Sequence, residues 1–338
     1  MKISELGEFA LIDRVAQRIP AYRKDVLVGV GDDVAVLRLD GERCQLATCD
    51  SQVEGAHFAC GATSPYDLGR KAAAINLSDI AAKGGTPQHF LVSLALRPDT
   101  EVSWVEALYD GLREEAERYD ADVVGGNMSR SRGPIVVDLF LLGEVKVEEL
   151  LLRSGARAGD VVLVTGWLGD SAAGQALLLQ PDLPLDEEER ERILAAATTP
   201  VPRVWEGRAI ASSRLATAMI DLSDGLSSDM GHICERSGVG VRLWAERLPI
   251  SGPARRVAAL TGRAEWALAL QGGEDYELCF TAAPAAAEDL AGLVEQATGT
   301  AVTSVGEVLS EEAGRWVRLL DGEEIPLTGE GWDHFRAE

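Results

Sequence analysis

Strand-like and helix-like segments alternate along the whole of this chain, and that alternation indicates an α/β or α+β protein. Ser4–Ile19 reads as a helix stopped by Pro20, and a hairpin follows through Val34–Leu39, a turn at Asp40-Gly41, and Gln45–Asp50. A long helix comes next, with Ser64 as N-cap, Pro65 in its first turn and Gly84-Gly85 as terminator. His89–Leu96 reads as a strand, Trp104–Tyr119 as a helix, Asp122–Val124 as a short strand and Ile135–Gly143 as a buried strand. At 338 residues and roughly 150 per domain, the length suggests two domains. The stretch Glu144–Gly159 reads as their connection, with a boundary near 148 that divides the chain into 1–148 and 149–338. The second half then reads as strand Val161–Thr165, helices near Ser171–Leu179 and Glu187–Ala197 and from Pro202, strand Ala218–Asp221, helix Ser227–Ser237, strands Val239–Trp244 and Glu277–Thr281, and a helix near Pro284–Thr298.

Charge narrows the partners. With 32 basic against 55 acidic residues the formal net charge is −23, which repels nucleic acid and anionic membrane surfaces at long range. An anionic substrate would therefore have to arrive with metal cations. No apolar run reaches the ~18–20 residues that span a bilayer, and the N-terminus carries acidic residues where a signal peptide places its positive region. The five cysteines are scattered without a Cys-x-x-Cys pair, as expected of thiols in a reducing cytoplasm.

Familiar catalytic patterns are missing: neither a Walker-A loop, nor Gly-x-Gly-x-x-Gly, nor His-Glu-x-x-His, nor Gly-x-Ser-x-Gly occurs. The distinctive feature is a set of aspartates in turns and at strand ends: Asp33 after Gly-Val-Gly, Asp50 closing its strand, and Asp221 and Asp224 around Ser223. Asp79 is the most informative, because helical spacing puts it on one stripe with Leu68, Ala72 and Ile75. A carboxylate on an apolar stripe needs neutralising, and the nearby bases are only Lys71 and Lys83. Hard oxygen ligands from separate turns with few compensating bases suit Mg²⁺; caps and turn residues are the alternative for each aspartate taken singly. The glycine pairs Gly84-Gly85, Gly125-Gly126 and Gly272-Gly273 read as turns able to wrap a phosphate. Ile75-Asn-Leu-Ser-Asp79 also echoes Ile220-Asp-Leu-Ser-Asp224, either by chance or because both halves present an acidic, Ser-bearing turn to one cleft.

Taken together, Gly29-Val-Gly-Asp-Asp33, Thr48-Cys-Asp50, Val53-Glu-Gly-Ala-His57-Phe, Asn76-Leu-Ser-Asp79, Asp221-Leu-Ser-Asp224-Gly-Leu and Gly272-Gly-Glu-Asp-Tyr-Glu-Leu278 stand in the order seen in thiamine-monophosphate kinases. The chain resembles that family from Gly7-Glu-Phe to Gly331-Trp-Asp-His-Phe335. The resemblance implies a two-domain fold similar to aminoimidazole ribonucleotide synthetase, with N-terminal sheets pairing in a homodimer. It implies direct transfer of the ATP γ-phosphoryl group to thiamine monophosphate, with several Mg²⁺ ions and no general base. Residue by residue, it implies metal ligands at Asp33, Thr48, Cys49, Asp50, Asp79, Asn127, Asp221 and Asp224, nucleotide contacts at Tyr109, Gly126, Asn127, Arg153 and Ser223, and substrate contacts at His57, Glu274 and Trp332.

Two positions depart from the family pattern. Asn127-Met128 stands where Asp-Thr is usual, which keeps an oxygen ligand but loses a negative charge, and Cys49 stands where a small hydroxyl residue is usual. A thiol is a poor Mg²⁺ ligand, although the backbone carbonyl there could still serve. Two other functions keep the same fold: ATP-dependent activation of a different small molecule, as in the amidine-forming relatives, and metal binding without turnover. Product analysis separates the first from the kinase, and an acceptor screen separates the second.

Overall fold

The computed structural model describes residues 2–328 except Tyr22 and Ala62. Six strands form the first sheet: β1 (Val26–Val28), β2 (Ala35–Arg38), β3 (Arg43–Val53), β4 (Thr86–Leu96), β5 (Asp122–Arg130) and β6 (Val136–Lys146). Their order is β1-β2-β3-β6-β4-β5, antiparallel except where β5 joins β4 in parallel. Long strands β3 and β6 pair in unbroken register from Arg43↔Lys146 to Val53↔Val136. The second sheet holds β7 (Val161–Thr165), β8 (Ala216–Asp221), β9 (Val239–Trp244), β10 (Leu278–Ala282), β11 (Val302–Ser310), β12 (Arg315–Arg318) and β13 (Glu324–Pro326). It is ordered β13-β12-β9-β11-β7-β10-β8, with β12 parallel to β9. Mixed sheets with helices packed on them make this an α+β protein, as the alternating pattern implies.

One helix, Pro65–Ala81, runs between the two halves and carries Asp79. Its start is set locally: the Ser64 hydroxyl accepts the Asp67 N–H at 3.0 Å, and Pro65 occupies the first turn, where no N–H is needed. Twelve of its residues are buried, among them Leu68, Ala72 and Ile75 on the stripe that leads to Asp79. It crosses the helix Val102–Glu117 at backbone contact. A Cβ on Gly69 would lie 2.0 Å from the Leu108 carbonyl oxygen, and one on Gly111 would lie 1.9 Å from that of Tyr66. The apolar core of the first sheet runs on without a break into Met219, Phe280 and Leu290 of the second half, so the two halves share buried surface beneath this helix.

The structure amends several expectations. The first helix is broken at Gly7 (φ 82°) into Ile3–Leu6 and Glu8–Ala16. Strand β3 continues past Asp50 to Val53. Gly125-Gly126 lies inside β5 rather than in a turn, because a Cβ on Gly126 would meet the Val92 carbonyl oxygen of β4 at 1.8 Å. That glycine permits strand approach instead of a reversal. Helices Gly252–Thr261 and Glu265–Gln271 and strands β11 to β13 add to the expected elements of the second half.

The helix crossing generates a stability prediction. Replacing Gly69 or Gly111 with Val should cost about 1–3 kcal/mol or more, because neighbouring backbone cannot yield as a side chain would. Urea unfolding measures it, and a midpoint equal to that of the parent protein would refute the contact.

Candidate active site

Four aspartates reach one place from four segments. Asp33 precedes β2, Asp50 sits on β3, Asp79 on the helix Pro65–Ala81, and Asp221 ends β8. Carboxylate oxygens of Asp33, Asp79 and Asp221 all lie within 4.8 Å of one another. Thr48, two residues before Asp50 on the same face of β3, donates its hydroxyl to the Asp79 carboxylate. Ser78 donates to Asp221 Oδ2 at 2.7 Å, which ties the helix of the first half to a strand of the second. The echoing segments therefore do face one cleft, although Ile75–Asp79 is mid-helix and not a turn.

Burial decides the charge state of this cluster. It pushes Asp79 well above the ordinary carboxyl range, helped by the charges of Asp50, Asp221 and Asp33 and opposed by the Thr48 hydroxyl. Asp221 is raised to about 7, by burial first and then by Asp33. Burial raises Asp50 as well, against a hydrogen bond with Asp79. Asp33 goes the other way: burial alone would raise it, but the Arg153 and Lys83 charges outweigh that and hold it below the ordinary range. Among the described residues, Asp50, Asp79 and Asp221 make no ion pair with a base.

Arg153 lies on the connection between the sheets. Its Nε donates to Asp33 Oδ1 at 2.7 Å, and its backbone N–H reaches Asp32 Oδ2 at 3.2 Å. Lys83, fully buried, places Nζ 2.5 Å from both Asp32 Oδ1 and Asp33 Oδ2. Neither base that the sequence offers Asp79 pairs with it. Lys71 instead reaches across the cleft to Glu274 Oε1 at 2.8 Å, while Gln175 donates to Glu274 Oε2 at 2.7 Å.

The loop carrying Glu274 is strapped to the loop after Asp221. The N–H of Glu274 donates to the Ser223 carbonyl at 2.7 Å, and that of Tyr276 to the Leu222 carbonyl at 2.8 Å. Glu274 and Tyr276 both adopt left-handed backbone (φ 65° and 51°), a cost that the surrounding bonds sustain. Two positioning acids lie outside the residues implied by sequence. Half-buried Asp275 accepts the N–H groups of Gly169 and Ser171 at 2.7 and 3.2 Å, and buried Asp229 accepts those of Asp224 and Gly225 at 3.2 and 3.1 Å. Their signal was their place in acid-rich turn motifs, where a carboxylate often serves backbone and not ligand.

The remaining implied residues fall in separate places. Asp224 lies on the loop after Asp221, outside the 4.8 Å cluster. Cys49 and Asn127 line a 320 Å³ cavity with Gly126, Asp138 and Phe140 on the open face of the first sheet, opposite Thr48 and Asp50. Tyr109 lines a groove of 620 Å³ with Arg113, Val124 and Gly125, between the helix Val102–Glu117 and β5. Neither of these two cavities is lined by Arg153 or Ser223. His57 follows β3, its Nδ1 accepting the Val53 N–H at 3.1 Å. Trp332 lies outside the described residues.

Both halves of this two-domain α+β chain match the AIR synthase related proteins. The profile of their N-terminal domain matches residues 31–145 and that of their C-terminal domain residues 157–317. The thiamine-monophosphate kinase of Escherichia coli (strain K12) is 38% identical over 329 residues, 97% of this chain and 98% of that protein. The enzyme of the same name from Aquifex aeolicus is 36% identical over 339 residues, 99% of this chain and 100% of that protein. Among solved structures, one described as AaThiL complexed with AMPPCP and TMP superposes with a TM-score of 0.84 at 36% identity, covering 99% of each chain. The chain belongs to the thiamine-monophosphate kinase family.

The raised carboxyls predict an unusual pH dependence for metal-stripped protein. Asp221 binds its proton up to about 7 when folded, but only to about 4 when unfolded, so the folded state holds the extra proton between these values. Stability should therefore fall as pH rises through this window, opposite to ordinary acid denaturation. Asp221→Asn should flatten the slope; identical pH profiles of unfolding temperature in EDTA would show that the carboxyl is not raised.

Proposed function

We propose that this chain is an ATP-dependent, Mg²⁺-dependent thiamine-phosphate kinase. It moves the γ-phosphoryl group of ATP onto the phosphate of thiamine monophosphate, giving thiamine diphosphate and ADP. The observation that carries this reading is the convergence of Asp33, Asp79 and Asp221 within 4.8 Å, two of them raised by burial and without a base, in a chain aligned end to end with kinases of that name. An all-oxygen donor set suits a hard divalent ion and disfavours soft metals.

Asp33, Asp50, Asp79 and Asp221 would hold Mg²⁺, with Thr48 beside them and Asp224 and Asn127 as the further ligands that the family resemblance implies. The chemistry Mg²⁺ supplies when bound is to offset the repulsion of two phosphates and the charge of the transferring group. The acceptor phosphate is largely dianionic at neutral pH, since its second pKa is about 6. Its oxygen attacks the γ-phosphorus as the bond to the β-phosphate oxygen breaks, with no proton for a side chain to remove. In this reading Arg153 meets phosphate charge, the backbone at Ser223 and Gly126 and the groove at Tyr109 take the nucleotide, and Glu274 and His57 take the acceptor, with Trp332 as the further contact that the family resemblance implies.

Residues 1–148 are read as the nucleotide, metal and dimerisation domain and 149–338 as the domain completing the cleft; the first sheet ends at Lys146 and the second begins at Val161. Homodimerisation through the open face and edge of the first sheet is part of this reading. Exposed Leu91, Val124 and Met128 (40%, 58% and 61%) support it. Light scattering should give twice the 36.1 kDa chain mass, and a monomer at assay concentrations would overturn this part. The five free cysteines fit a cytoplasmic location. No helix among the described residues is long and apolar enough to cross a membrane.

The decisive experiment is a coupled assay of thiamine monophosphate and ATP across a magnesium titration. Asp79→Asn should lower turnover by at least about a hundredfold while leaving the unfolding temperature nearly intact, because a neutral amide resembles the protonated carboxyl of the folded state. Full activity with unchanged magnesium dependence would sink the assignment.

A further inference from the structure

We propose that Lys83 is a resident cation of the carboxylate cluster: a fixed charge that takes one side of Asp33 and so weakens this chain's hold on divalent ions. This rests on the reading of the cluster as a Mg²⁺ site. Lys83 heads the large side chains with no solvent exposure, and it sits one residue past the C-cap of the helix that carries Asp79. Its ammonium lies 2.5 Å from a carboxylate oxygen of Asp32 and 2.5 Å from one of Asp33, and 3.4 Å from the Met219 carbonyl oxygen.

The arrangement is more than a buried ion pair. Asp33 has two oxygens: Oδ1 takes the Arg153 guanidinium and Oδ2 faces Lys83. Asp32 and Asp33 against Lys83 and Arg153 make a set of two acids and two bases, already balanced in charge. Asp33 nevertheless belongs to the trio within 4.8 Å. A divalent ion that uses Asp33 must either displace one of these cations or sit beside it and bear the repulsion. Arg153 lies on an interdomain connection and keeps some exposure, whereas Lys83 is sealed in and has no room to withdraw. Lys83 is therefore the cation that stays.

The test is calorimetric titration of MgCl₂ into EDTA-stripped, dialysed full-length protein without nucleotide, together with the magnesium dependence of its unfolding temperature. Lys83→Met should lower the half-saturating magnesium concentration by at least about tenfold, and Lys83→Arg, which keeps the charge, should stay near the parent value. Equal midpoints for the parent and Lys83→Met overturn the proposal. So does a Lys83→Arg shift as large as that of Lys83→Met, since volume and not charge would then be responsible. If Lys83→Met does not fold, Asp32→Asn decides. Leaving the ammonium to Asp33 alone, it should raise the midpoint several-fold, and an unchanged or lower midpoint rejects the role. If magnesium binds none of these proteins, the metal reading falls and this proposal with it; if it binds all with one midpoint, only the role of Lys83 falls.

Discussion

Like charges held together out of water are the constraint around which this molecule is arranged. Two ionised carboxylates at 4.8 Å repel by about 3 kcal/mol at an effective dielectric of 20, and Asp33, Asp79 and Asp221 form three such pairs. The chain meets this in two ways at once. Arg153 and Lys83 hold Asp33 below the ordinary carboxyl range, while burial raises Asp79 and Asp221 and makes their protons harder to lose. Either way, carboxylate oxygens remain that a stronger positive charge can claim.

The same constraint explains why the two halves cannot be independent. Asp79 and Ser78 belong to the helix of the first domain and Asp221 to the second sheet, joined by the Ser78–Asp221 hydrogen bond and by the Lys71–Glu274 ion pair two helical turns away. A continuous apolar core beneath the helix backs both contacts. Backbone-close packing at Gly69 and Gly111 then fixes the helix from behind. Precision at the carboxylates comes from rigid elements, and the loops after Asp221 and before Glu277 are held by hydrogen bonds to one another.

How much of this can be read from sequence depends on the range of the interaction. The cap of the helix Pro65–Ala81 and the burial of Asp79 follow from local spacing, since Ser64, Pro65 and the 3.6-residue period act within a few turns. The partner of Lys83 does not follow. Nearness in sequence offered it to Asp79, four residues back, but tertiary packing gives it to Asp32 and Asp33, some fifty residues away. Gly125-Gly126 was legible as a position needing a bare backbone, but not as a strand, because turns and close strand contacts leave the same mark in sequence. Placing Cys49 on the face of β3 opposite Asp50 needs only the two-residue alternation; placing Asn127 beside it needs the pairing of β5 with β4.

Glu274 bears a backbone cost for the sake of its side chain. Its left-handed backbone costs a side-chain-bearing residue on the order of 1–2 kcal/mol, a burden glycine would not carry. A glycine there would relieve that strain and lengthen the run begun by Gly272 and Gly273, but it would lose the side chain. The acid that stands there is gripped by Lys71 and Gln175 from two sides of the cleft, so the strained backbone holds a carboxylate in a fixed place.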